Sequence, residues 1–442
     1  MIAASARLED AMADTDFARL VGPERVHRSV YTDPTIFEFE MERVFKRAWL
    51  YVGHESQIPQ PGDFMTLTLA RQPVVLVRHR DGTPQVLFNR CGHRGALVCN
   101  EPCGNVSLFR CCYHGWTFKT NGEVHAIPLK GGYPANFDAA DPKLGMVRLP
   151  RVASHRGFVF VSFAADGPDL ATHMGPMLAR IDDLADRSPV GQVIVASNAH
   201  KYRIQANWKE QIENLNDLYH PPFSHESTTN PQGRQFSRQG DEGGVQLSAS
   251  GNPISFWDET GVWAADRGHS YCGRISNAGI NDPASRELFE ILRARDGEAR
   301  AMELMNPFWH NAIIYPNVNI QSMSQHVRII VPLAVDLTEI HVYPILLKDA
   351  PLAYNQAVIR YLNITHAPAS LIQTDDLEAF NRIQRGLATD GSDWVVLSRH
   401  FGGDVEEKPG LWRGQGTSEL PMRNQYRAWV GYMSGEADHA AQ

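Results

Sequence analysis

The chain has 442 residues, 43% hydrophobic and 21% charged, with a formal net charge of −8. That length carries two domains or three, and the acidic balance excludes the basic footprint of a nucleic-acid or anionic-membrane binder. No run of about 18 apolar residues is present, so no transmembrane helix is expected. Met1 to Phe17 carries acids and lacks the apolar core of a secretory signal, so a cytoplasmic location is expected.

Residues 1–30 are irregular and receive no role. From Pro34 to Tyr51 the pattern is helical: Ile36, Phe37, Met41, Val44, Phe45 and Trp49 form an apolar stripe, with Asp33 as N-cap and Pro34 at the first position. Gly62 to Ala164 has an all-β pattern, with hairpin turns expected at Asp81-Gly82 and Asn121-Gly122. Leu170 to Leu184 is loosely helical, and Gln192 to Ile204 is strand-like. Residues 226–300 are expected to be long loops with one helix near 285–295. Three β runs follow, at 312–319, 326–335 and 339–347, then helices at about 351–363 and 369–387. The fold class is α+β: a small β domain, then a curved antiparallel sheet with packed helices. The division expected is 1–50, a segment and helix packing on the catalytic domain; 51–165, the β domain; and 166–442, the catalytic domain.

Cysteines stand at 91, 99, 103, 111, 112 and 272, five of them within about twenty residues. In a long chain without a secretory signal, that clustering points to metal rather than to disulfides. Cys91-Gly92-His93 and Cys111-Cys112-Tyr113-His114 give the pattern C-x-H-x17-C-x2-H. Two thiolates and two imidazoles can hold a [2Fe–2S] cluster, Cys on one iron and His on the other. The competing Cys2His2 zinc site normally spaces its cysteines two to four apart, whereas here each pair mixes Cys with His. Cys99, Cys103, Cys112 and Cys272 are expected to be buried or inert thiols.

A second constellation lies at 207–225. On a helix Asp217 and His220 share a face, with Asn214 and Asn216 near it. Pro221 and Pro222 should end or kink that helix near His220, and the following turn brings His225 back. Two imidazoles beside a carboxylate suit iron, zinc or copper, and with open positions they suit non-haem Fe(II).

Cys91-Gly92-His93-Arg94-Gly95 with Cys111-Cys112-Tyr113-His114-Gly115-Trp116 resembles the cluster motif of the Rieske non-haem iron oxygenases, the large (alpha) subunits of aromatic-ring-hydroxylating dioxygenases. Ala96 and Tyr113 stand where respiratory Rieske proteins carry an extra disulfide. Asp217, His220 and His225 are similar to the family's D-x2-H-x4-H iron motif, and the likeness covers most of the chain. The resemblance implies a Rieske [2Fe–2S] domain before a catalytic domain of helix-grip (START-like) type, with the cluster on Cys91, His93, Cys111 and His114. It takes a third iron ligand from Gln373-Thr374-Asp375-Asp376-Leu377. Helical phase chooses between the aspartates: Ile372, Phe380, Ile383 and Leu387 lie within about 40° of Asp376 and Asp375 about 100° away. Asp376 therefore joins His220 and His225 at the mononuclear Fe(II), and Asp375 is left as an acid favoured by the helix dipole.

The same resemblance gives Asp217 the task of bridging a cluster histidine of one subunit to His220 of the next, and Asn214 a place beside the iron. It implies electrons from NAD(P)H through a reductase, with or without a ferredoxin. It also implies a homotrimer, or an α3β3 assembly with a small subunit. The expected function is dihydroxylation of an aromatic ring, aromatic acids included. Hydroxylation or demethylation by a monooxygenase is the alternative. A plain Rieske electron carrier leaves His220, His225 and Asp376 unexplained. Arg203 and Arg328 are basic residues that could pair a substrate carboxylate, against solvated or structural roles for each.

Overall fold

The computed structural model describes residues 16–228, 252–275, 280 and 282–436. Asp33 Oδ1 accepts from Thr35 N at 2.7 Å and starts the helix Pro34–Glu40. The helix widens into the π-type turn Met41–Phe45 and stops earlier than its apolar stripe suggests. Leu50–His54 is already a strand, paired with Phe158–Ser162 and through it with Arg151–His155.

Around these lie two small antiparallel sheets. One orders Pro84–Phe88, Gln72–Arg78, Asp63–Leu69 and Cys103–Asn105; the other orders Val124–Ala126, Thr117–Lys119 and Leu108–Arg110. Both expected hairpin turns are present, with Gly82 at φ 87° and Gly122 at φ 88°, a region that favours glycine.

Among the described residues the large sheet has ten strands. Its centre is the antiparallel meander Trp309–Ile314, Val318–Gln321, His326–Ala334 and Leu337–Leu347. The sequence suggested one strand over 312–319; the chain turns there at Pro316, which has no N–H to give a ladder. The strand-like 192–204 stretch is likewise two strands, Val193–Val195 and His200–Ile204, both laid on Leu337–Leu347. Over 226–300 the one expected helix is present as Pro283–Asp296, but the loop expectation fails elsewhere where the chain is described. Helices Ile254–Thr260 and Glu298–Met305 and strands Val262–Ala265 and Ser270–Gly273 also occupy the stretch. Residues 229–251, 276–279 and 281 of that stretch lie outside the described residues. Helices Leu352–His366 and Gln373–Leu387 follow the meander, Val405–Lys408 and Leu411–Gly414 then return to the sheet, and Leu420–Ser434 is the last described helix. No helix among the described residues is long and apolar enough to cross a membrane.

One buried hub ties the chain's ends to its middle. Glu40, fully buried, accepts from Lys209 Nζ at 2.6 Å, Trp208 Nε1 at 2.8 Å and Trp429 Nε1 at 2.7 Å. A buried carboxylate is tolerable only when so surrounded, and Lys209, itself fully buried, has no water to fall back on.

Candidate metal centres

Two similar turns carry the first donor set. Gly95 N donates to Cys91 O at 3.0 Å, and Gly115 N to Cys111 O at 3.2 Å. Both glycines have positive φ, 77° and 71°. Each turn buries its thiol, Cys91 at 1% and Cys111 at 2% exposure, and sets the two imidazoles 4.6 Å apart between ring centroids. Trp116 stacks on His93 at 5.1 Å, a contact sequence reasoning missed. Burial pushes the Cys91 thiol up, and Cys111 beside it adds to the rise. His93 Nδ1 is buried with no hydrogen-bond partner. Paired thiols, paired imidazoles and an orphaned ring nitrogen fit a [2Fe–2S] cluster with two Cys and two His ligands. Of the four other cysteines, Cys99 and Cys272 are buried as expected, with burial pushing both thiols up to about 12. Cys103 and Cys112 are free and exposed, on a sheet-edge strand and on the turn that carries Cys111.

The second set begins on the helix Trp208–Leu215, capped by Asn207, whose side chain accepts from Lys209 N at 3.2 Å. This helix ends at Leu215, earlier than expected. Asp217 meets His220 across a turn rather than along a helical face. His220 itself keeps helical φ and ψ and leads directly into the short helix Pro221–Ser224, so the bias from Pro221 is overridden. Asn216 points elsewhere, giving its amide to Ser270 Oγ at 2.8 Å.

His225, 5% exposed at its side chain, places Nε2 3.5 Å from Asp376 Oδ1; His220 Nε2 lies 3.7 Å from the same oxygen. Donor atoms of all three residues lie within 4.8 Å of one another. Asn214 Nδ2 donates to Asp376 Oδ1 at 3.2 Å and sits 3.3 Å from His220 Nε2. Asp376 is nearly buried, and no lysine or arginine pairs with it among the described residues. Two neutral nitrogens and one desolvated carboxylate closing on a common point could hold one Fe(II), with positions left open.

The far side of each imidazole is also tied. His220 Nδ1 stands 3.4 Å from Asp217 Oδ2, and His225 Nδ1 stands 3.3 Å from Asp375 Oδ2. Burial opposes ionisation of Asp217, yet the His220 imidazole beside it holds the carboxyl below its ordinary value. Asp375 stands in the first helical turn, as its reading as a helix-dipole acid requires, and the contact with His225 adds a role that the sequence did not show. The helix also sits differently from the stripe drawn for it: Phe380 is buried, but Ile383 is 46% exposed. Gln384 takes the inner place and accepts from Asn207 N at 2.8 Å.

A cavity opens over the triad, lined also by Trp257, Ile275, His310, Asn311, Gln321 and Arg328. Arg203 is not part of it: that side chain is 63% exposed and pairs with Glu339 at 3.0 Å.

One centre suited to passing electrons and one suited to binding small molecules, on a single chain, define an iron-dependent oxidoreductase. Residues 48–137 match the Rieske [2Fe-2S] domain, and residues 194–435 match the ring hydroxylating alpha subunit catalytic domain. The chain belongs to the ring-hydroxylating dioxygenase alpha-subunit family. It is 34% identical over 391 residues to the toluate 1,2-dioxygenase alpha subunit of Pseudomonas putida, covering 86% of this chain and 83% of that one. It is 32% identical over 387 residues to the 2-halobenzoate 1,2-dioxygenase large subunit of Burkholderia cepacia, covering 86% and 80%. Among solved structures, naphthalene 1,2-dioxygenase with indole bound superposes with a TM-score of 0.82 at 25% identity, covering 96% of both chains. The family carries a Rieske cluster and a mononuclear iron, and both donor sets above fit those groups.

Proposed function

We propose that the chain is the terminal oxygenase of a multicomponent system, adding both atoms of O2 to an aromatic ring as a cis-diol. In this reading Cys91, His93, Cys111 and His114 hold the cluster, and His220, His225 and Asp376 hold the mononuclear iron. The carrying observation is the convergence of two imidazoles and a carboxylate to within 4.8 Å, on the same chain as the two Cys/His turns. When bound, the cluster supplies electrons one at a time and the iron supplies open positions for O2.

The chain's own residues set the conditions. Asp217 Oδ2 stands 3.4 Å behind His220 Nδ1 and its charge favours the tautomer that leaves Nε2 free towards the triad; Asp375 hydrogen-bonds Nδ1 of His225 to the same effect. Asn214 orients the Asp376 carboxylate by donating to Oδ1. Trp257 and Ile275 supply the apolar surface against which a ring can rest.

The organisation proposed is 1–50 packed on the catalytic part, 51–165 for the cluster and 166–442 for the iron; Glu40 bonded to Lys209 supports the first assignment. Asp217 is assigned the bridge to a neighbouring subunit's cluster. Its side chain is 29% exposed and His114 is exposed, so each can be met from outside. That bridge calls for a homotrimer, alone or as α3β3 with a small subunit. NAD(P)H electrons arrive through a reductase, with a ferredoxin between them in the longer version, and this nucleotide-fed supply supports a cytoplasmic setting.

The relatives act on aromatic acids, as toluate and 2-halobenzoate, and on hydrocarbons, as naphthalene. The test is iron content, the EPR of reduced protein, and product analysis with a reductase. About three irons per chain, a Rieske-type signal abolished in His114→Ala, and a cis-diol product are expected. A colourless protein holding one zinc at the Cys/His turns would end the reading.

A further inference from the structure

The cavity over the triad contains a charge that no described carboxylate answers. Arg328 lies on His326–Ala334 in the middle of the large sheet, paired with Asn319 on one side and Val342 on the other. It is 3% exposed and lines the same cavity as His220, His225 and Asp376. One Nη donates to Gln373 Oε1 at 3.1 Å, while Nε has no hydrogen-bond partner. Among the described residues no carboxylate forms an ion pair with it. Two other buried cations are answered by carboxylates: Lys209 by Glu40 and Arg423 by Asp404, each at 2.6 Å. Arg187, which has only neutral acceptors, does not line this cavity.

The surroundings sharpen the contrast. His310 also lines the cavity, is 3% exposed, and leaves Nδ1 without a partner. Burial pushes His310 down to about 3, so it is a neutral polar contact and not a second cation. Gln373, which holds the guanidinium, is three residues before Asp376 on the same helix, about 4.5 Å of axial rise. The group that fixes Arg328 and the group that faces both imidazoles are thus presented by one turn.

We propose that Arg328 anchors the carboxylate of the substrate, so that the chain takes a benzoate-type aromatic acid, its charged end on the guanidinium and its ring towards His220, His225 and Asp376. This rests on the oxygenase reading above and narrows it. A guanidinium is a planar fork matched to a carboxylate, which satisfies the donors that Gln373 does not. A neutral hydrocarbon of the same size leaves the same charge desolvated and unpaired. Gln373 is a positioning residue: it acts through Arg328.

The test uses the iron-loaded enzyme, with benzoate and toluene as the probes, and reads dissociation constants by calorimetry. The wild type is expected to prefer benzoate. Arg328→Gln lowers the benzoate-over-toluene preference on the order of 100-fold, and Arg328→Lys, a point charge without the fork, falls between. Gln373→Leu leaves Arg328 in place and raises the benzoate constant about tenfold. It decides the matter if Arg328→Gln does not fold, with cluster absorbance and iron per chain as the check. A wild type that binds benzoate no better than toluene overturns the anchor; so does a full preference kept in Arg328→Gln, or, where that variant does not fold, in Gln373→Leu. Oxygen uptake with a reductase separates the two levels. Uptake with toluene and no Arg328-dependent benzoate binding refutes the anchor and keeps the oxygenase. Arg328-dependent benzoate binding with no uptake on any aromatic keeps the anchor and refutes the oxygenase.

Discussion

Asp375→Asn probes the contact that the sequence hid. Asp375 Oδ2 lies 3.3 Å from His225 Nδ1 and 3.4 Å from Ser227 Oγ, and its side chain is 30% exposed. Carboxylates behind metal-binding imidazoles contribute about 10–100-fold in metal affinity, or about 1.4–2.7 kcal/mol. The long contact and partial exposure place this one at the lower end, about tenfold. Asp376→Ala removes the anionic donor itself and should empty the site at any practical chelator concentration. The assay is competition for the mononuclear iron by a graded chelator, with cluster absorbance as internal standard. The cluster spectrum should be unchanged in both variants, because its ligands lie on separate turns. Wild-type iron retention in Asp375→Asn would refute the orienting role. It would return Asp375 to a helix-dipole acid contributing a few tenths of a kcal/mol.

Asp217→Asn should keep both metals and yet nearly stop reductase-driven turnover; wild-type turnover in that variant would exclude Asp217 from the electron route. Glu40→Gln leaves the Lys209 ammonium buried without its counter-ion and should cost about 3–5 kcal/mol, read as a lowered Tm with early iron loss. Glu210 is 3% exposed with both oxygens unpartnered, and burial, reinforced by Glu213, pushes its carboxyl up to about 9. Its folded pKa lies above its unfolded value near 4.5, so its contribution to stability is full below pH 4.5 and is lost as pH rises towards 9. Glu210→Gln should therefore gain on the wild type with rising pH, by at most about 1.4 kcal/mol per unit; a pH-independent difference in Tm would refute this.

How far the sequence could be read depended on how local each arrangement is. The four donors proposed for the cluster stand in two short turns that each carry a positive-φ glycine, so the spacing of Cys91, His93, Cys111 and His114 carried nearly all the information. Asp376 was reachable because helical phase survives folding, although the stripe was misdrawn at Ile383, where Gln384 wins the inner place by capping Asn207 N. Asp375 was not reachable. Its partner His225 arrives from a turn 150 residues earlier, and no pattern within the helix announces it. Pro316 signalled the break between two strands, and the apolar run around it hid that signal. Arg203 stands in the mixed strand His200–Ile204 and Arg328 in the apolar-rich His326–Ala334; only the assembled sheet shows that one pairs with Glu339 near solvent and the other lines the cavity.

Between Gln373 and Asp376 the chain carries three attachments in little more than one helical turn. Gln373 reaches Arg328, Asp375 reaches His225, and Asp376 reaches both imidazoles. Such crowding limits how this pocket can drift or be redesigned. Any slide or tilt of that turn to suit a longer or differently shaped molecule would disturb iron retention at the same moment. Tolerant positions must therefore be sought on the part of the wall around Trp257 and Ile275, which makes none of these attachments. A library built on that wall and sparing 373–376 should return iron-replete variants with altered preference, and one built on the helix turn should mostly return protein without its mononuclear iron.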